Sequence, residues 1–297
     1  MAKFIVTGGA GFIGGHLCKL LEDEGHTVQV VDLKTGQDIN DPTSLQTRRA
    51  DVLIHLAALA GVRPSEEKPH EYLQTNIAGT HNVLDLAYRA EVSRVVLASS
   101  SSIYGKQSVE LEDITPAPIS LYAASKAAME NLAHAWHHKT RIPVDILRPF
   151  TVYGPRNRPD MLVGQVIHKL RNGGELTVYG TGVATRQFTF VGDVAEAFKL
   201  AAYDDSTGFR LLNVTSGANV AVSEVIGHLE DIAGGQVAIH YKDTNPADSP
   251  HNVSILNARP ANATIKEALG WTPKVSIYDG LRQTWHDSCN SLLSPGP

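Results

Sequence analysis

Along the chain, short unbroken apolar runs alternate with apolar stripes of helical period. Phe4-Ile-Val6, Thr27 to Val31, Val52 to Leu56, Arg94 to Ala98, Val144 to Leu147 and Leu211 to Val214 are the length of strands buried on both faces. Between them lie stretches that repeat every three to four residues. These are Ile13, Leu17, Leu20 and Leu21 after a glycine-rich turn, Pro69 through Asn76 and on past Thr80, and Tyr122 to about Thr140. The segment around Val191 and a last helix from near Ser223 to Gly234 complete the set. Strand-helix alternation predicts an α/β fold with a doubly wound parallel sheet of Rossmann type. One unit is short. After Asp32 only Gln37-Asp-Ile-Asn40 precedes Asp41-Pro-Thr, read as a helix start, and the next strand follows at once, so the third βα unit is expected to be trimmed.

Composition narrows the function classes. A chain of 297 residues suffices for two domains, or one with a substantial lobe. With 26 Lys+Arg against 31 Asp+Glu and no long charged run, the net charge of −5 argues against nucleic acid as a partner. The two cysteines, Cys18 and Cys289, are far apart and in no metal-ligand spacing. The opening Met1-Ala-Lys-Phe has no signal-peptide core, and no apolar run reaches membrane-spanning length, so a cytoplasmic enzyme with no membrane partner and no metal is expected.

Two stretches carry candidate chemistry. Thr7-Gly-Gly-Ala-Gly-Phe-Ile-Gly14 ends a strand and opens a helix; Gly8, Gly11 and Gly14 permit a tight turn, close approach to a pyrophosphate and close helix packing. Asp32 ends the second strand, where a carboxylate accepts ribose hydroxyls and repels a 2′-phosphate, which favours NAD over NADP. Asp38 and Ile39 would flank the adenine. The second stretch is Tyr122-Ala-Ala-Ser-Lys126 with the serine run Ser99 to Ser102. Residues four apart share a helix face, so the Lys126 ammonium can favour a Tyr122 phenolate, a usable base near neutrality. By itself such a pair more often marks an exposed helix face; beside a dinucleotide turn it reads as a proton-transfer site. His55, inside an apolar strand, reads as a hydrogen-bonded core residue, and His134 with His138, lacking a third ligand, as a helix face.

Taken in order, Thr7 to Gly14, His55-Leu-Ala-Ala58, Ser99-Ser-Ser-Ser-Ile-Tyr-Gly105, Tyr122-x-x-x-Lys126 and Leu147-Arg-Pro149 resemble the extended short-chain dehydrogenases/reductases that act on nucleotide sugars. Phe150 to Met161, Ala60-Gly-Val-Arg63 and Phe188-Thr-Phe190 are similar to the UDP-glucuronate 4-epimerase branch. The resemblance implies NAD held by Gly8, Gly11, Phe12, Ile13, Gly14, Asp32, Asp38, Ile39, Leu56, Ala57, Ala58, Tyr122 and Lys126, with Ser100, Tyr122 and Lys126 catalytic. It implies a nucleotide-sugar substrate bound by Arg63, Ser101, Ser102, Thr151 and Arg158, by the segment of Leu176, Val178 and Tyr179 through backbone contacts to the base, and by Arg186 at the diphosphate. Residues 1–153 with about 187–215 would form the NAD-binding domain, about 154–186 with 216–288 a smaller α/β substrate lobe, and 289–297 a frayed tail. A homodimer formed through two helices per subunit is part of the same implication.

Two features depart from that family, the trimmed third unit beside the adenine pocket and the residue at position 245. Asn245 stands in an Asp-containing turn, Asn245-Pro-Ala-Asp248, where a second diphosphate arginine is common, so that either Arg259 substitutes or the diphosphate is held less tightly. Ser101 and Ser102 stand where related dehydratases and uronate decarboxylases carry an acid for proton transfer at carbon. A serine serves poorly there, which favours a reaction that begins and ends at C4. Asp193 is expected to be an N-cap and not an acid catalyst. The reading is thus an NAD-dependent NDP-sugar 4-epimerase converting UDP-glucuronate to UDP-galacturonate. Its alternatives are an epimerase of another NDP-sugar, a 4-keto-sugar reductase and a non-catalytic sensor.

Overall fold

In the computed structural model, residues 1–46, 48–106, 112–243 and 262–290 are described. The elements in order are β1 (Lys3–Thr7), α1 (Phe12–Asp23), β2 (Thr27–Val31), β3 (Val52–His55), α2 (Val62–Glu67), α3 (Pro69–Leu73), α4 (Gly79–Arg89), β4 (Arg94–Ala98), α5 (Leu121–Thr140), β5 (Val144–Pro149) and β6 (Val152–Tyr153). There follow α6 (Leu162–Asn172), β7 (Glu175–Tyr179), β8 (Thr185–Gln187), β9 (Thr189–Phe190), α7 (Val191–Tyr203), β10 (Phe209–Val214), β11 (Asn219–Ala221), α8 (Val222–Ala233), β12 (Ala238–Lys242), α9 (Ala263–Leu269) and α10 (Ile277–Asn290).

Six parallel strands form the main sheet in the order β10-β5-β4-β3-β1-β2. Alternate residues of the central strands feed opposite faces. Phe4 and Val6 pack with Leu17 of α1 and Phe198 of α7, while Ile5, Leu53 and Val95 pack with Val83 of α4 and Met129 of α5. Burial on both faces explains why these strands read as unbroken apolar runs. A third apolar cluster joins Tyr153 and Phe190 to Val166, Val178, Val225 and Leu281, and underlies α6, α8 and α10.

From β1 the chain turns to β2 on one side and then crosses to β3 on the other. Thr7 is in register with both Val31 and His55, so the carboxyl ends of the three strands open on one crevice at the switch point. The third unit is indeed trimmed: β2 is the sheet edge, and among the described residues between Asp32 and Val52 there is no strand. Asp41 starts a turn instead of the expected helix, because its carboxylate accepts from both the backbone N–H and the hydroxyl of Thr43.

Two further expectations are corrected. The helix near Ser223 is not the last, since α9 and α10 follow it. Asp193 lies inside the first turn of α7, whose N-cap is Phe190, and its carboxylate accepts from the backbone N–H of Lys274 and Val275 (both 3.0 Å). With Trp271 donating its indole N–H to the Asp193 carbonyl (2.9 Å), this carboxylate anchors the segment that leads into α10. Asn245, Asp248, Arg259 and residues 291–297 of the expected tail lie outside the described residues, while Cys289 and Asn290, also assigned to that tail, end α10.

Candidate active site

A cleft of about 680 Å³ runs over the carboxyl ends of the central strands and meets a second cavity of about 300 Å³ at Thr151, Val152, Asn157 and Met161. The glycine turn forms one wall. Gly8 adopts a left-handed φ of 69°, and a Cβ on Gly14 would stand 2.1 Å from the Gly8 carbonyl oxygen, so α1 can begin directly beneath the turn only with glycine there. No side chain caps the first turn of α1 and no acid lies in it, leaving its N–H groups for an anion. Asp32 is oriented by backbone: Ala10 N–H donates to Oδ2 (3.1 Å) and Lys34 N–H to Oδ1 (3.0 Å). Phe12, Ile13, Asp38, Ile39, Leu56, Ala57 and Ala58 line the same cleft, with Ser100, Ser101, Ser102, Tyr122 and Lys126. The hydroxyl of Ser99 and the Oδ1 of Asn40, both in this wall, are buried without a protein partner. Unpaired polar atoms, an uncapped helix start and a strand-end carboxylate suit a dinucleotide.

The N-terminus of α5 is tied down from two sides. Ser120 caps it through Ala123 N–H (3.1 Å), and the Tyr122 N–H donates to the Ser65 hydroxyl of α2 (3.1 Å). One turn on, the buried Lys126 ammonium donates to the Ala98 carbonyl at the end of β4 (2.8 Å). Desolvation lowers its pKa to about 8, against an opposing pull from Glu130. Glu130 in turn takes a two-point grip from Arg148 (2.9 and 2.7 Å), and that guanidinium also donates to the Tyr104 hydroxyl (2.8 Å). The Leu-Arg-Pro motif therefore clamps α5 to β5 beneath the site.

Desolvation raises the Tyr122 phenol above its ordinary value of 10, outweighing a hydrogen bond with Ser100 and the nearby charge of Arg158. The chain alone thus holds a neutral phenol, and the expected near-neutral phenolate needs a further positive charge in the cleft. His55 is a core residue. Its Nδ1 meets the Thr7 hydroxyl (2.6 Å) and its Nε2 the Thr80 hydroxyl (3.0 Å); because Thr80 donates to the Asn76 carbonyl, Nε2 carries the proton. Burial, then the charge of Lys126, pushes the His55 pKa down to about 3.

Of the expected substrate residues, Ser101, Ser102, Thr151 and Arg158 face the large cleft, and Arg63, Thr151, Val178, Tyr179 and Arg186 face the second cavity. Arg63 lies 4.8 Å over the Tyr179 ring, joining α2 to β7 across that cavity. Leu176 lies in neither. It alternates inward on β7 and is buried in the third apolar cluster, so its side chain serves packing. The proline-rich loop after β6 separates its two arginines: Arg156 packs against Gly15 of α1, while Arg158 enters the cleft and is gripped at two points by Asp160 (Nε–Oδ1 3.0 Å, Nη2–Oδ2 2.6 Å).

Sequence reasoning passed over three residues here. Asn76 sits in a π-helical turn, Gln74–Ala78, where its amide accepts from Leu59 N–H (2.9 Å) and donates to the Leu59 carbonyl and the Ser125 hydroxyl (both 3.0 Å). It fixes the loop after β3 against α5; an asparagine in a helical stretch gave no signal of that turn. Asn157 presents both amide atoms, buried and without a protein partner, at the junction of the two cavities. Asp160 was hidden by its exposed, loop-like surroundings.

The NAD dependent epimerase/dehydratase family matches residues 4–214. A UDP-glucuronate 4-epimerase of Thermodesulfobacterium geofontis is 34% identical, over 96% of this chain and 95% of the relative. Among solved structures, the UDP-glucuronic acid 4-epimerase of Bacillus cereus in complex with UDP-glucuronic acid and NAD superposes with a TM-score of 0.86 at 31% identity, over 97% of this chain and 99% of that one. The UDP-glucose 4-epimerase of Thermotoga maritima with UDP-glucose gives 0.87 at 28% identity, over 98% and 99%. Glycine turn, strand-end carboxylate and Ser-Tyr-Lys constellation thus agree with a match over most of the chain: the protein belongs to the NAD-dependent epimerase/dehydratase family.

Proposed function

We propose that the protein epimerises a nucleotide sugar at C4 through a transient 4-keto intermediate, converting UDP-glucuronate reversibly to UDP-galacturonate. The supporting observation is the convergence on one cleft of the Ser100–Tyr122 pair and of Arg158, Thr151, Ser101 and Ser102, with no carboxylate in the serine run. Bound NAD supplies a hydride acceptor and, in its oxidised form, a positive charge that favours an anionic base in the same cleft. Tyr122, in the same cleft as Ser100, takes the proton of the O4 hydroxyl as C4 is oxidised and returns it when C4 is reduced on its other face. Lys126 binds the cofactor beside it. The Asn157 amide answers polar groups of the substrate where the sugar and nucleotide cavities meet.

Oxidation at C4 makes a uronate a β-keto acid, which loses carbon dioxide when its C–C bond aligns with the ketone π system. Hydrogen bonds from Arg158, Thr151 and the two serines hold the carboxylate out of that alignment. The division of labour between a cofactor domain (1–153 with about 187–215) and a substrate lobe, cytoplasmic residence and a homodimer belong to the same proposal. Among the described residues no helix is long and apolar enough to cross a membrane.

NMR of UDP-glucuronate incubated with the purified protein should show UDP-galacturonate without net change in NADH absorbance. Net consumption of NADH would identify a reductase, and a preference for UDP-glucose would move the substrate to a neutral sugar. That second reading has one observation in its favour: Arg158 is already engaged by Asp160.

A further inference from the structure

The Arg158–Asp160 pair is unlike the other charged pairs around the cleft. Arg158 lines the cavity, and its charge acts on both Tyr72 and Tyr122, whose rings meet edge to face at 6.3 Å. Room for the guanidinium is made by Gly61, held at a φ of 113°, where a Cβ would stand 3.2 Å from Nη2. Asp160 occupies the Nε–Nη2 edge, the edge that grips a carboxylate in a fork. Yet Asp160 itself keeps 53% of its side chain exposed, against 32% for Arg158. The anion can therefore leave for water at little cost, while the guanidinium stays at the cleft.

We propose that Asp160 is an internal stand-in for the substrate carboxylate: it holds the Arg158 fork in register in the free enzyme and is exchanged for the C6 carboxylate when a uronate binds. This rests on the uronate reading above. The exchange conserves one ion pair and its local charge, so Tyr122 keeps a neutralised guanidinium neighbour before and after binding. A C6 hydroxymethyl group carries no charge with which to displace Asp160. Such a sugar finds the fork closed. Asp160 thereby becomes a positioning residue that keeps the fork aligned for a C6 carboxylate, at the cost of competing with that carboxylate for it.

Calorimetric titration of NAD-loaded protein with UDP-glucuronate and with UDP-glucose, on the parent, Asp160→Asn and Arg158→Leu, tests this. Asp160→Asn should bind UDP-glucuronate about two- to fivefold more tightly, the range set by an exposed ion pair, and UDP-glucose with less than about twofold change. A purely structural role for Asp160 would weaken both sugars together. Unchanged or weaker uronate binding by Asp160→Asn, when Arg158→Leu loses uronate affinity selectively, overturns the exchange and leaves the uronate reading standing. If Arg158→Leu alters both sugars equally, the uronate reading falls, and the exchange with it. Retained NAD in each variant is the control for folding.

Discussion

The two halves of the cleft are built from different materials. The half proposed to hold the cofactor is backbone: a glycine turn, an uncapped helix start, strand ends, and a carboxylate fixed by two N–H groups. The half proposed to hold the substrate is long side chains drawn from distant segments, Arg63 over Tyr179, Arg158 on Asp160, and the Asn157 amide. Backbone geometry tolerates almost no change in residue type, whereas side chains can be exchanged one at a time to suit another sugar. That contrast matches the comparisons, in which chains of near-equal overlap carry UDP-glucuronic acid in one case and UDP-glucose in the other.

The largest effect should come where the halves meet. Tyr122→Phe removes the proton acceptor for O4 while leaving a ring of the same size, so turnover should fall about a thousandfold or more with the fold and bound NAD retained. Activity within about tenfold of the parent would remove Tyr122 from the role of base.

That the residues proposed for the cofactor line one cleft follows from signals readable in the sequence, for the reason just given. These signals are local: glycine spacing between β1 and α1, a carboxylate ending β2, and Tyr122 four residues before Lys126 on one helix. What escaped reading depends on partners far along the chain. Asp193 looked like a cap because its true acceptor role involves Lys274 and Val275, some eighty positions away. The Leu176 side chain turns by alternation on β7 into the apolar cluster, which leaves only its backbone for the contact expected of that segment. The phenolate expected of a Tyr-Lys pair ignored desolvation, which depends on depth in the folded cleft and here outweighs the neighbouring charges.

Next in size is a test of the backbone half. In Gly14→Ala the new methyl would meet Gly8 O at 2.1 Å and Gly9 Cα at 2.7 Å, neither of which can swing aside. The start of α1 must then move away from the turn. Loss of bound NAD on purification and a destabilisation of about 2 kcal/mol in urea denaturation are expected. A variant that retains NAD at the parental ratio would show that the turn is not the phosphate cradle.

A smaller effect belongs to the buried ammonium. Lys126 has a folded pKa of about 8 against an ordinary 10.5. Below pH 8 it is charged in both states, and folding bears the full cost of burying it. Between 8 and 10.5 the unfolded chain binds the extra proton, so this group's contribution makes stability rise with pH. NAD-stripped Lys126→Met should therefore gain on the parent at pH 7 by up to about 3 kcal/mol, less about 1 kcal/mol for the lost bond to Ala98, and the gain should shrink toward pH 10. A difference independent of pH would contradict the lowered pKa.

The smallest predicted effect separates the two halves most cleanly, because it changes cofactor preference and leaves the sugar alone. Asp32 takes two N–H bonds, and a carboxylate retains further acceptor sites for ribose hydroxyls. The Lys34 ammonium donates to the carbonyl of Ala10 (3.2 Å), the residue whose N–H donates to Asp32, so the two charges meet the same turn. Asp32→Ala removes an anion that would repel a 2′-phosphate and leaves that ammonium as a partner for one. The preference for NAD over NADP should then fall about tenfold, with the KM for the nucleotide sugar unchanged. Adding Lys34→Ala to Asp32→Ala should restore part of the preference, since the phosphate loses its cation. An unchanged preference in Asp32→Ala would mean that the carboxylate faces its own loop and not the ribose, and a sugar KM that moves with it would mean that the two halves are not independent.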